Sequence, residues 1–312
     1  MPSEGLRPSG PNATRKGPGV HANIDAFYRP RSLAEAILLL SDPARKAIPV
    51  AGATEVGLRV RSSVRTLVDL SGLGLDHVRS EQDGLHLGAM VRATRIHRDT
   101  AIRATIGDAL PEAAFAIASE PIRNLTSIGG NVIHLTSWSD MPPALQVLWA
   151  SFRVQGSRDR TYSAVEFFAQ APKKLVQRGD LLTEVIIPRP LGGSGSAFLK
   201  HAKTAVDFAL VNAAALVVLD AGRAVDVRLS VGAIHTPPIR LPSAEAALRG
   251  GPVTPERLAD VEAAVASEVS PVKDPRASEK YLRHAAGVLV RRAATLAAER
   301  AAHGDSRWHG DP

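Results

Sequence analysis

RNLTSIGGNVIHLTSWSDMPP, running from Arg123 to Pro143, is the stretch whose reading decides the fold. Its centre is Ser127-Ile128-Gly129-Gly130-Asn131. Adjacent glycines permit positive φ and let a ligand approach the backbone with no Cβ in the way. Successive N–H groups in such a turn can converge on phosphate oxygens. Ser127 and Asn131 add side-chain donors. The sequence therefore predicts an anion-cradling turn at Gly129-Gly130, although a lone Gly-Gly pair is more often only a tight turn. Ser139-Asp140 follows, then Met141-Pro142-Pro143, which closes the segment and opens a helix.

A second stretch has the same character. Residues 48–57 read IPVAGATEVG. An apolar run from Ile48 to Ala51 ends in Gly52, Ala53, Thr54 and Glu55. This is strand, tight loop and helix start, where backbone N–H groups can meet a phosphate. No Gly-Lys-Ser/Thr follows, so it is not a Walker loop, and it is not the G-x-G-x-x-G fingerprint. Two short Gly loops about 75 residues apart can hold the two phosphates of a dinucleotide between them.

AGATEVG followed by IRNLTSIGGNVIHLTSWSDMPPAL resembles the flavin-binding subunits of the molybdenum hydroxylases, the group of xanthine dehydrogenase and the carbon monoxide dehydrogenase medium subunit. The likeness runs from about Ala22 to Arg292. It implies an α+β chain: a two-lobed PCMH-type FAD-binding domain, then a C-terminal domain of antiparallel sheet plus helices. The implied boundaries are 22–190 for the first domain, with a small lobe at about 22–74 and a larger lobe at about 75–190, and 197–302 for the second. In that family both loops bind the FAD pyrophosphate. Carried over, the first loop is Pro49, Val50, Ala51, Gly52, Ala53, Thr54, Glu55 and Val56, and the second is Ser127, Ile128, Gly129, Gly130 and Asn131. Asp140 matches the acidic position near the flavin nucleotide. Leu182 falls where the family packs an apolar side chain on the isoalloxazine, and Lys200 where a lysine lies near the flavin. Ala53 departs from the Gly or Asn common at its position. Ile117 stands where xanthine dehydrogenases carry an aromatic residue.

Composition fits this frame. The chain has 312 residues, 45% of them apolar, enough for two domains with sizeable cores. There is no run of about 18 apolar residues, and no apolar secretory segment at the N-terminus. The chain has no cysteine, which excludes disulfides and cysteine-ligated iron–sulfur clusters within it and favours a cytoplasmic address. Net charge is +7 and aromatic content 4%. The basic residues are dispersed and stacking residues scarce, which argues against nucleic acid as a partner.

Along the chain, residues 1–21 read as a disordered tail of Pro, Gly, Ser and basic residues. Ser32 and Glu35 form a capping-box pattern before the helix LAEAILLLS. Strands are expected at Ala47–Ala51 and Thr66–Leu70, and a helical turn over VGLRVRSS, residues 56–63. Asp83-Gly84 marks a hairpin. One helix is expected from Thr94 and another from Pro111, and LLTEVII at 181–187 is a strand. Leu191–Ser196, LGGSGS, reads as a linker or flexible loop. Beyond it, Val206–Leu219 is a long apolar stretch interrupted at Asn212, and Val225–Ala233 is a return strand. Helices follow at Ser243–Leu248, Thr254–Glu268 and Ser278–Ala302.

No nucleophile motif or metal-ligand spacing is present, and a bound flavin needs none, since it carries the redox chemistry itself. The resemblance implies that FAD here takes electrons from [2Fe–2S] clusters on a small partner subunit, with molybdopterin on a large one, and passes them to NAD, a quinone or oxygen. Two other readings are a docking subunit without flavin and a stand-alone diaphorase.

Overall fold

A computed structural model describes residues 24–55 and 62–303. The expected tail, Val56 and most of the helical turn expected over 56–63 lie outside the described residues.

The small lobe is built from β1 (Ala26–Tyr28), α1 (Leu33–Ser41), β2 (Ala47–Val50) and β3 (Thr66–Asp69). Its three strands are parallel in the order β1-β3-β2. Ser32 Oγ accepts from the Glu35 N–H at 3.2 Å and starts α1. Ala36, Leu39 and Leu40 then pack on Val68 and Leu70.

The large lobe opens with the expected hairpin, β4 (Val78–Ser80) and β5 (Leu85–Gly88). A helical run follows: α2 (Ala93–Arg98), α3 (Thr100–Ile106), α4 (Ala109–Phe115), α5 (Glu120–Leu125), α6 (Ile128–His134) and α7 (Met141–Val147). Then come β6 (Ser151–Gln155), β7 (Arg160–Ser163), α8 (Ala164–Ala169), α9 (Pro172–Leu175) and β8 (Leu181–Ile187). The sheet is antiparallel, in the order β4-β5-β8-β6-β7. The single helix expected from Thr94 is two. The Asp99 carboxylate accepts from the N–H of Ala101 at 3.0 Å and so caps α3 instead of continuing α2, as Asp does when it competes with helical backbone bonds.

The C-terminal lobe comprises β9 (Ser194–His201), β10 (Val211–Asp220), β11 (Arg223–Gly232), β12 (Ile239–Arg240), α10 (Pro242–Leu248), α11 (Pro255–Glu268) and α12 (Glu279–His303). The strands are antiparallel, in the order β12-β11-β10-β9. This sheet is sandwiched, which explains the apolar run Ala213–Leu219 in β10. Ala213, Ala215 and Val217 face the core of α10–α12, while Ala214, Leu216 and Val218 join the core of the large lobe. The Leu191–Ser196 segment is not the flexible linker expected. β9 already starts at Ser194, and a Cβ on Gly195 would lie 2.2 Å from the Ala297 carbonyl oxygen. The glycine there serves close packing of strand on helix.

Candidate functional site

The two Gly loops, far apart in sequence, meet at one cleft of about 400 Å³. Loop 1 follows β2, the second strand of the small lobe. A Cβ on Gly52 would lie 1.6 Å from the carbonyl oxygen of Leu125, the last residue of α5, so only glycine lets the lobes approach this closely. The same carbonyl accepts a hydrogen bond from the Arg92 guanidinium. Glu55 and His134, at the end of α6, pair across the cleft at 3.2 Å.

The second loop is a helix start and not the tight turn expected. Ile128, Gly129 and Gly130 form the first turn of α6, and neither glycine has positive φ. Ser127 is the N-cap, its Oγ accepting from the Gly130 N–H at 3.1 Å. The N–H groups of Ile128, Gly129 and Asn131 donate to Val91, Ala89 and Ser127 carbonyls. The nest is therefore closed on the protein's own acceptors. Gly129 is glycine because a Cβ would sit 2.8 Å from Ala89 Cβ and O, whereas a Cβ on Gly130 would meet only Ser127 Oγ.

Positive φ belongs to loop 1 instead. Ala53 has φ +57, the left-handed region where a Cβ costs roughly 1–2 kcal/mol. The backbone N–H groups of Gly52, Ala53, Thr54 and Glu55 donate to no described residue. Open donors thus lie on the small lobe, in a loop that lines the same cleft as the start of α6.

Asp140, the N-cap of α7, and Lys200 of β9 supply the charged part of the site. Asp140 and Lys200 are both nearly buried and pair at 3.0 Å. Lys200 Nζ also donates to the Ala116 carbonyl at 2.8 Å, and Asn212 Nδ2 donates to Asp140 Oδ1 at 3.0 Å. Burial pushes the Asp140 carboxyl above the usual carboxylate range, opposed by the Lys200 charge and the Asn212 bond.

Of the residues expected at a flavin, Pro49, Ala51, Gly52, Ala53, Thr54, Glu55, Ser127, Gly129, Gly130, Asn131, Asp140, Leu182 and Lys200 line this cleft. Val50 and Ile128 do not; their side chains are buried. Val56 lies outside the described residues. Sequence reasoning missed an aromatic pair on the wall, Trp138 and Phe208, with ring centroids 4.7 Å apart. Trp138 stood inside the deciding stretch itself. Ile117 does line the cleft, and these rings supply the aromatic surface that it lacks.

Residues 22–190 match the family model for the FAD binding domain in molybdopterin dehydrogenase, and residues 196–297 that for the CO dehydrogenase flavoprotein C-terminal domain. The chain belongs to the FAD-binding subunits of the molybdenum hydroxylases. It is 28% identical to the carbon monoxide dehydrogenase medium chain of Afipia carboxidovorans, over 88% of this chain and 97% of that one. It is 30% identical to the caffeine dehydrogenase subunit beta of a Pseudomonas species, over 89% and 96%. Among solved structures, reconstituted CO dehydrogenase from Oligotropha carboxidovorans superposes with a TM-score of 0.83 at 28% identity, covering 89% of this chain and 98% of that one. Quinoline 2-oxidoreductase from Pseudomonas putida 86 gives 0.81 at 26%, with the same coverage. The chain is thus an oxidoreductase subunit whose cofactor is FAD, and the α+β architecture is that of the family.

The residues present suit this flavoprotein cofactor on their own chemistry. Asn131 Oδ1 is buried and has no hydrogen-bond partner, and Asn131 lines the cleft. A buried acceptor left unpaired costs about 1–3 kcal/mol, and FAD carries hydroxyl donors along its ribityl chain. Among the described residues, no helix is long and apolar enough to cross a bilayer.

Proposed function

We propose that this subunit accepts electrons from [2Fe–2S] clusters on a small partner chain, holds them on FAD in the cleft, and delivers them to an external acceptor. Carbon oxidation then belongs to a molybdopterin-bearing large subunit. The observation that carries the reading is the cleft itself: loop 1, with its open N–H donors, and the start of α6 line it together, with an apolar wall and one buried ion pair beside them. The absence of cysteine from the chain fits clusters carried elsewhere, and a cytoplasmic address belongs to the same reading. Residues 22–74 and 75–190 are read as the two lobes of the FAD domain, and 197–302 as the C-terminal domain.

Bound FAD interconverts two-electron and one-electron transfer. The chain's residues bind and orient it. Gly52, Ala53, Thr54 and Glu55 offer backbone donors to the pyrophosphate. Asn131 accepts a hydroxyl. Leu182, Ile117, Trp138 and Phe208 exclude water from the ring. Asp140 and Lys200 set the charge beside it.

Purified protein titrated with FAD should turn yellow and release all flavin on heat or acid denaturation. The flavin should then be reduced rapidly by a reduced iron–sulfur partner and stay oxidised with an N-heterocycle or aldehyde alone. Failure to take up FAD supports the docking reading. Rapid reduction of a dye by NADH with this chain alone supports the diaphorase.

A further inference from the structure

Asn212 interrupts an apolar strand, is completely buried, and lines no part of the cleft. Its amide donates to the Ser139 carbonyl at 3.1 Å and to Asp140 Oδ1 at 3.0 Å. Both partners are acceptors, so the amide orientation is fixed by chemistry. Its own oxygen has no partner, an arrangement a leucine would avoid. The neighbouring strands are shaped around it. Asn212 pairs across the sheet with Lys200 on one side and Gly232 on the other, and a Cβ on Gly232 would sit 2.4 Å from Asn212 Oδ1. One strand pair of the C-terminal lobe thus sends two side chains, Asn212 and Lys200, onto the two oxygens of one carboxylate in the other domain.

We propose that Asn212 is a positioning residue that keeps Asp140 ionised and paired with Lys200, so that the C-terminal lobe sets the net charge beside the flavin. A hydrogen bond to the charged form of a carboxylate favours that form. With Asp140 ionised, the pair is neutral. Without the Asn212 donor, Asp140 takes up a proton and the Lys200 charge stands uncompensated, which favours the more negative, reduced flavin. Other charged groups on elements packed against α7 have partners of their own. Glu112 of α4 binds Arg300, His134 of α6 binds Glu55, and Glu166 of α8 closes its own capping box. Arg228 of β11 binds Asp226, and Arg240 of β12 binds Glu245.

The inference rests on the cleft holding FAD, and the test separates the two. In the flavin-free full chain, the Asp140 carboxyl is titrated by carbon NMR with labelled aspartate, assigned by loss of its signal in Asp140→Asn. Asn212→Leu should raise its proton affinity at least tenfold. In FAD-loaded protein the same change should raise the affinity for reduced relative to oxidised FAD at least tenfold at neutral pH, and make that ratio pH-dependent. Should Asn212→Leu fail to fold, Asn212→Ala removes the donor without adding bulk and must give the same two shifts. Unchanged titration of Asp140 in a folded variant would sink the proposal. A parent chain that takes up no FAD would instead remove the flavin reading, and with it the redox half of the proposal.

Discussion

At the scale of single residues, the glycines of the site are glycine for different reasons, and mutation separates them. Gly52→Ala puts a methyl group into the Leu125 carbonyl. The loop must move away from the end of α5, and FAD affinity should fall at least tenfold, about 1.4 kcal/mol, measured by flavin fluorescence titration. Gly192→Ala is the fitting control, since no heavy atom lies within 4 Å of its added Cβ and its φ is not positive. Gly193→Ala would be a poor one, because φ is +74 and the new Cβ would lie 2.4 Å from the Leu219 carbonyl oxygen. Gly129→Ala crowds the Ala89 backbone and should destabilise the whole protein by about 1–3 kcal/mol. Gly130→Ala disturbs only the Ser127 cap, costing about 0.5–1 kcal/mol. Denaturant melts of the two variants should rank them in that order; equal melts would contradict the packing derived for α6. That the two Gly loops share one cleft was legible from their residues and spacing, whereas Asp140, Leu182 and Lys200 came from the family resemblance alone. Which glycine needs its freedom was not legible, because Gly129-Gly130 suits a helix start against a close neighbour as well as it suits a turn. Only the approach of Ala89, a tertiary contact, decides between them.

At the scale of elements, β8 carries a buried carboxylate whose partners come from three other strands and from the residue just before β4. Glu184 binds His77 at 3.0 Å, His86 at 3.2 Å, Arg153 at 3.0 Å and Arg79 at 3.4 Å. The other nitrogen of His86 binds Asp83 at 2.9 Å. An imidazole bonded to a carboxylate at each nitrogen donates from both and carries a charge. Burial opposes that charge, but the bonds to Asp83 and Glu184 outweigh it and raise the His86 pKa. Burial likewise opposes ionisation of Glu184, and the bonds from His77 and His86 bring its pKa below the usual range. The signs fix a window. A raised histidine contributes stability that is complete below its ordinary pKa of about 6.5 and lost as pH rises through the raised value. A depressed glutamate contributes stability that is complete above about 4.3 and lost as pH falls through the lowered value. His86→Gln should therefore cost about 1–3 kcal/mol at pH 6 and far less at pH 9, by urea melts at both. A cost independent of pH would contradict a charged His86. The hairpin itself was legible from Asp83-Gly84, and the strand from LLTEVII. The network was not, because Glu184 sits in an apolar run whose burial comes from both sides of the sheet. The two helices on either side of Asp99, read as one, failed for a related reason: a single local cap overrode an otherwise continuous helical pattern.

At the scale of the whole molecule, the two domains are joined by the face of the C-terminal sheet that carries Ser196, Phe198, Lys200, Asn212 and Ser230. Ser196 Oγ accepts from the Asp108 and Ala109 N–H groups at 3.1 Å and so caps α4 from the other domain. The Ser230 hydroxyl donates to Gln146 of α7 at 2.6 Å. The alternation of that face is visible in the sequence, but its polar residues acquire a meaning only once α4 and α7 are known to lie against it. The strongest tie is Arg300 of α12. It reaches Glu112 at 2.6 Å, Asp108 at 3.5 Å and the Ser196 carbonyl at 2.7 Å. Burial holds the Glu112 carboxyl above the usual range, with Arg300 opposing the rise. Because its folded pKa is raised, ionising Glu112 works against folding as pH climbs past its unfolded value, and Arg300 limits that loss. Arg300→Leu leaves Glu112 buried without a cation, which should cost about 3–5 kcal/mol at pH 7. The cost should shrink at pH 5, where Glu112 in the variant takes up a proton. Asp108 keeps Arg103 as its partner, so the pH dependence reports on Glu112. Glu112→Leu in the same chain removes the stranded carboxylate and should recover much of the loss, since a buried ion pair replaced by apolar groups is often close to neutral. Guanidinium melts of parent, both single variants and the double variant at the two pH values complete the cycle. A double variant no more stable than Arg300→Leu alone would mean that Arg300 acts by packing between the domains and that the Glu112 charge is incidental.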